Sequence, residues 1–182
     1  MNKLTKKQQK LLAEIKKISE ITGFDYQNES IYKGYAKTLF LDRVIDQMTR
    51  SAIVMDYAVI DDYLNDIICQ YFFGKKSNLI ILRTTKKFKN FNFYILEKLY
   101  LLNKLDLVNN IIKIPKEICN LIHSVNDLRN GLTHTLFPEN LRRNKPVYKG
   151  KSIYSYEGLR NYKVDLIKVH DFFWLKLSWV IK

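Results

Sequence analysis

The sequence predicts an all-α fold, and three observations carry that prediction. Its 182 residues include only 6 Gly and 3 Pro, too few for an all-β chain, which needs a turn signal about every 8–12 residues. Between Gly34 and Gly74 neither residue type occurs, while Leu41, Val44, Ile45, Met48, Ala52, Met55, Val59, Tyr63 and Ile67 keep a helical rhythm. Apolar residues make up 47% of the chain and aromatics 13%, which offers enough buried surface to offset the entropy of ordering a domain of this length. The expected architecture is an up-and-down helical bundle with a long second helix and a small basic β-hairpin inserted before the last helix.

Leu4, Leu11, Leu12, Ile15 and Ile18 form an apolar stripe with lysines opposite, and Gly23 follows as a stop signal, so residues 4–20 read as an amphipathic helix. With its connector this helix makes a segment over 1–34, ahead of a helical domain over 35–182. As one straight helix the run from 35 to 73 would reach ~55 Å at 1.5 Å per residue, so a kink or a protruding end is expected. Residues 85–105 read as a further single helix, capped by Thr84 or Thr85. Its basic start is disfavoured by the helix dipole and suits an anionic guest. The spacing of Phe88, Phe91, Phe93 and Tyr94 within it reads as core, although rings on a basic helix can also stack on bases.

Pro115 is placed as the first residue of the next helix, whose stripe is Ile118, Leu121, Ile122, Val125, Leu128, Leu132 and Leu136, and which should end before Pro138. Within about 139–154, strand-forming residues flank Lys149-Gly150-Lys151, the pattern of a small basic hairpin. A last helix from about Leu159 presents Leu166, His170, Phe173, Leu177 and Val180 on one face.

Charge narrows the function. Against 18 Asp and Glu stand 31 Lys and Arg, a net +13. Such a field attracts phosphate polyanions, although lysines that merely solvate helices give the same total. Acids gather between 41 and 66 at Asp42, Asp46, Asp56, Asp61, Asp62 and Asp66, and bases at Arg83, Lys86, Lys87 and Lys89 and again from Arg142 to Lys163. No stretch approaches the ~18 uninterrupted apolar residues of a membrane span, and lysines stand where a signal peptide would be apolar, so a cytoplasmic protein without a membrane partner is expected. Cys69 and Cys119 lie in apolar helical patterns, which predicts free thiols. Asp61, Asp62 and Asp66 could approach a divalent ion, but no His or Cys accompanies them at ligand spacing. An ion-pair surface is the simpler use of these acids, and no metal or other cofactor is expected.

The densest chemistry lies in the run from Asn126 to His134. At about 100° per residue, Arg129 falls about 20° from Ile118 and Leu136, beside the arc that these form with Val125 and Leu132, so a permanent charge points at the apolar side of its own helix. Buried without a partner it would cost several kcal/mol. It must therefore pair with a carboxylate such as Asp61, Asp62 or Asp66, reach a cavity, or face a second subunit. His134 is turned by about 140° from Arg129 on an ideal helix, and Asn130-Gly131 offers a distortion that would bring the two together. Asn130 and His134, at i and i+4, share a face. His123 and His170 read as a polar position and a core-edge position.

Arg129-Asn130-Gly131-Leu132-Thr133-His134 resembles the Arg-Asn-x-x-x-His form of the R-x(4–6)-H motif of HEPN domains, the all-helical ribonuclease domains of toxins, phage-defence systems and RNA-processing factors. The setting is similar over residues 35–181, with a long carboxylate-bearing helix before the motif helix and another after it. The resemblance implies a HEPN-type bundle in which Arg129 and His134 are catalytic, Asn130 orients them, and two copies meet across a two-fold axis to form an RNA-cleaving cleft. One branch of HEPN toxins has a tyrosine two residues after the His. Leu136 stands there in this chain, so modification by a partner nucleotidyltransferase is not implied.

The chemistry suits these residue types. RNA supplies its own nucleophile, the ribose 2′-OH, so cleavage needs a group that moves protons near neutral pH and a fixed cation for the pentacoordinate phosphate. His134 fits the first need and Arg129 the second. Arg142, Arg143, Lys145, Lys149 and Lys151, together with Lys86 and Lys87, are the expected RNA contacts, and Asp61 or Asp62 the expected support of Arg129. The expected function is a metal-independent endoribonuclease of phage defence or of a toxin system, a homodimer with an antitoxin or defence-system protein as a further partner. The alternatives are a non-catalytic HEPN-like module that binds RNA or protein, and a plain helical interaction protein whose Arg129 is structural.

Overall fold

The computed structural model of the chain describes residues 5–23, 41–74, 83–133 and 146–178. These are mostly helical, with a two-stranded hairpin as the only sheet among them, so the all-α expectation holds. The chain divides into two compact units, one drawn from 1–55 and 128–165, the other from 56–127 and 166–182.

In the first unit, α1 (Lys6–Thr22) starts at a capping box in which Gln8 N donates to Thr5 Oγ1 and Thr5 N donates to Gln8 Oε1 at 2.8 Å. It buries Ile15 and Ile18 completely and stops at Gly23, whose φ of 72° lets its N–H return to the Ser19 carbonyl. The long helix α2 (Leu41–Phe73) is continuous over its 33 residues. It contributes Ile45, Met48, Ala52 and Ile53 to this unit's core.

The hairpin pairs β1 (Val147–Tyr148) with β2 (Lys151–Ser152) through a turn at Lys149-Gly150. Both turn residues have positive φ, 48° and 75°, the backbone that a tight two-residue hairpin demands. The last helix, α6 (Tyr156–Ser178), begins a turn earlier than the expected Leu159 because Ser155 caps it: Ser155 Oγ accepts from Gly158 N at 3.1 Å. A Cβ at Gly158 would lie 2.1 Å from the Ser152 carbonyl oxygen, so hairpin and helix meet only through a glycine there. Glu14 of α1 accepts from Tyr156 N at 2.7 Å, a negative charge at the positive end of α6. Thus the amphipathic N-terminal helix, set apart in the sequence at 1–34, belongs to the same unit as the hairpin.

In the second unit the expected single helix over 85–105 is two helices. The first, α3 (Lys86–Tyr94), is capped by Thr85, whose hydroxyl accepts from Phe88 N. The chain then leaves helical geometry at Ile95, makes a 3₁₀ turn over Leu96–Lys98, and restarts as α4 (Leu101–Ile112). No Gly or Pro marks this break, and its cause is tertiary. On one uninterrupted helix Leu96 would point about 120–180° away from Leu101, Leu105 and Val108, yet all four are buried. Breaking the helix lets one core receive them.

The following helix, α5 (Lys116–Thr133), starts one residue after Pro115, whose carbonyl accepts from Cys119 N. Its expected stripe is buried at Ile118, Ile122, Val125, Leu128 and Leu132, and Leu121 is half-buried. Leu136 and Pro138 lie outside the described residues. Cys69 is buried and Cys119 half-buried, both free, and burial pushes the Cys69 thiol up to about 11. No helix among the described residues is long and apolar enough to cross a membrane.

Candidate functional site

Arg129 sits on α5 where the wheel of that helix places it, between the buried Ile122 on one side and the buried Val125 and Leu132 on the other, yet Arg129 itself is only half-buried. Arg129 lies toward the Ile122 edge of this face. There the guanidinium turns back on its neighbour, with Arg129 Nη1 donating to Asn130 Oδ1 at 3.1 Å. The expected distortion at Asn130-Gly131 is absent, because α5 stays α-helical through both residues to Thr133, whose hydroxyl donates to the Arg129 carbonyl at 3.0 Å. Gly131 is exposed, its backbone stays helical, and among the described residues a Cβ there would meet nothing within 4 Å. His134 lies outside the described residues, as do Arg142, Arg143 and Lys145.

A second guanidinium, not singled out from the sequence, holds the end of α5. Arg50 on α2 donates from Nε to both Asp46 carboxylate oxygens at 2.8 Å and from Nη1 to the Leu132 carbonyl. That carbonyl lies toward the C-terminal, negative end of the α5 dipole, so a cation held there is stabilising. Tyr154, just after the hairpin, buries its hydroxyl beside the same pair, and burial first and the Asp46 charge second raise its pKa. The i, i+4 spacing of Asp46 and Arg50 was readable as a helical ion pair. Its reach to a carbonyl 82 residues away was not.

The other expected site residues are placed as follows. Lys149 is exposed and pairs with the buried Asp165, which also accepts from Tyr148 Oη at 2.9 Å. Burial, then that contact, raises the Tyr148 pKa. Lys151 is exposed and pairs with Glu157 at 3.2 Å. Both hairpin lysines thus help seat the hairpin on α6. Lys86 and Lys87 are exposed at the start of α3. In the second unit Asp61 accepts from the buried Lys104 Nζ at 2.7 Å, Asp66 accepts from Arg83 at 2.7 Å, and Asp62 is exposed. Burial raises the Asp66 carboxyl above its ordinary value despite the Arg83 bond. Among the described residues no group of three or more His, Cys, Asp or Glu side chains could hold a metal ion. His123 is exposed, and His170 is half-buried, 3.3 Å from Tyr63 Oη. Compared with protein-family models, curated proteins and solved structures, the chain matches none.

Proposed function

We propose that this chain is a HEPN-type, metal-independent endoribonuclease. One observation carries the reading: Arg129 is half-buried within the apolar face of α5 and bonded to Asn130, five residues before His134. A permanently charged guanidinium at such a position suits phosphate. In the proposed reaction His134 takes the proton of the 2′-OH, the 2′-oxygen attacks phosphorus, the bond to the 5′-oxygen breaks, and that oxygen is protonated by the second His134 of a homodimer. Arg129 balances the charge that builds on the phosphate oxygens. Arg50 acts at one remove, holding the Leu132 carbonyl three residues after Arg129.

Self-association is part of the reading. Val164, Ile167, Trp174 and Leu175 are exposed on one face of α6, with the exposed Arg160 and Asp171 among them, a mixed apolar and charged face of the kind that an isologous contact covers. A role in phage defence or as a toxin is what the resemblance to HEPN domains implies, and the lysine-rich start of the chain is the ground for placing it in the cytoplasm. The second reading, a non-catalytic module that binds RNA, is favoured by the exposed lysines of α3.

Incubating the purified protein with labelled RNA in EDTA tests the first reading. Cleavage should persist, leave 2′,3′-cyclic phosphate ends, and fall by at least about 100-fold in His134→Ala with RNA affinity kept. Activity that vanishes on chelation and returns with Mg²⁺ would overturn it.

A further inference from the structure

The helix α3 buries none of its nine residues, so its aromatic rings are not core as their spacing suggested. At about 100° per residue, Lys89, Phe93, Lys86, Asn90, Tyr94 and Lys87 follow one another around a single arc, and all six are exposed. Phe93 is 58% and Tyr94 62% accessible, with centroids 5.0 Å apart and planes at 87°. The half-buried Phe91 on the other side of α3 touches Phe72 and Phe73, at 5.6 and 5.3 Å between centroids, and Lys87 Nζ lies 5.2 Å over the Phe73 ring. From Arg83 to Tyr100 five basic residues stand against one acid, Glu97.

We infer that this arc of α3 is a binding platform for single-stranded RNA, with Phe93 and Tyr94 stacking on bases and Lys86, Lys87 and Lys89 following the phosphates. The interleaving decides the occupant. A helix that lies in a membrane surface segregates its rings from its lysines, and a protein-docking core excludes lysine. A strand of unpaired bases needs a ring and a cation within one nucleotide of each other, in alternation. A duplex hides its base faces and would use the lysines alone. The platform rests on RNA as the polyanion of the proposed function, but it is tested through binding rather than cleavage.

The experiment uses the full chain with His134→Ala, so that RNA is held and not cut, and an oligonucleotide of about ten nucleotides carrying 2-aminopurine, whose fluorescence is quenched by stacking on a ring. Phe93→Ala/Tyr94→Ala should weaken binding about tenfold and abolish the quench with the salt dependence unchanged. Lys86→Gln/Lys87→Gln/Lys89→Gln should lower the slope of log affinity against log salt by about 2 and keep the quench. Helix content should stay constant in both. Wild-type affinity in the ring variant, equal affinity for a duplex of the same length, or loss of binding to phosphatidylserine vesicles with RNA binding intact would each overturn the platform. Ring-dependent binding in a wild-type protein that cuts no RNA would sustain the platform and remove the nuclease. Cleavage with unaltered RNA affinity in the ring variant would do the reverse.

Discussion

The helices α3 and α5 read alike in sequence, each opening on lysine and repeating apolar or aromatic residues at helical spacing, but they end in opposite environments. In α5, Ile118, Ile122 and Val125 are all buried, whereas α3 buries nothing. The difference lies in angular spread. The six aliphatic residues of α5, from Ile118 to Leu132, fall within about 120° of one another, narrow enough for a single buried face. Phe88, Phe91, Phe93 and Tyr94 spread over more than about half the circumference of α3, so no single packing surface can take them all. An aromatic run therefore predicts burial only when its arc is narrow. Where lysines fill the gaps between rings, exposure is the cheaper outcome, because burying the rings would desolvate the ammonium groups beside them.

The contrast is easiest to break at the buried end. Ile122→Ala removes a fully buried side chain and should cost about 3 kcal/mol, a fall of about 6–12 °C in melting temperature. A loss below about 1 kcal/mol would mean that α5 is no better packed than α3. Next in size is the ion pair inside the second unit. Lys104 is 3% exposed and donates to both oxygens of Asp61, so Asp61→Ala strands a buried ammonium and should cost about 2–3 kcal/mol. Chemical denaturation of this variant decides whether Asp61 is structural. Equal stability would mean that the bond to Lys104 is not what Asp61 is for.

Arg50→Met sharpens the comparison, since it leaves the buried stripe of α5 intact and removes only what holds its end. Losing the Leu132 carbonyl bond and stranding Asp46 should cost about 1–2 kcal/mol. If Arg50 positions the Arg129 backbone, kcat should fall by more than KM rises, and Arg50→Lys should restore stability better than rate, because an ammonium cannot span the carboxylate and the carbonyl with a rigid fork. Smallest of all, Phe93→Ala/Tyr94→Ala should move the melting temperature by no more than the scatter of surface variants, about 0.5 kcal/mol in stability. A drop comparable with that of Ile122→Ala would return these rings to the core.

Arg129 and Asn130 were legible as a candidate site because a charge in an apolar stripe and a short motif are both properties of adjacent residues. The hydrogen bond between them adds orientation to that. The contribution of Arg50 was only half legible: its pairing with Asp46 is set within one helical turn, and its grip on the Leu132 carbonyl is not. The acidic run from 41 to 66 looked like one patch, but in the fold its members serve separate cations, Asp46 with Arg50, Asp61 with Lys104 and Asp66 with Arg83.

What the sequence determined by itself is whatever acts across a few residues. The capping box at Thr5 and Gln8, the stop at Gly23, the hairpin turn at Lys149-Gly150 and the stripe of α5 all follow from dihedral preference and helical periodicity, which are nearly independent of distant contacts. Tertiary structure alone decided the break at Ile95, the closeness of Ser152 to Gly158, the partner of Lys104 and the exposure of the α3 rings. Each of these depends on which surface another segment brings. A desolvated charge or a misdirected leucine costs several times more than the local preference it overrides, so packing wins wherever the two conflict.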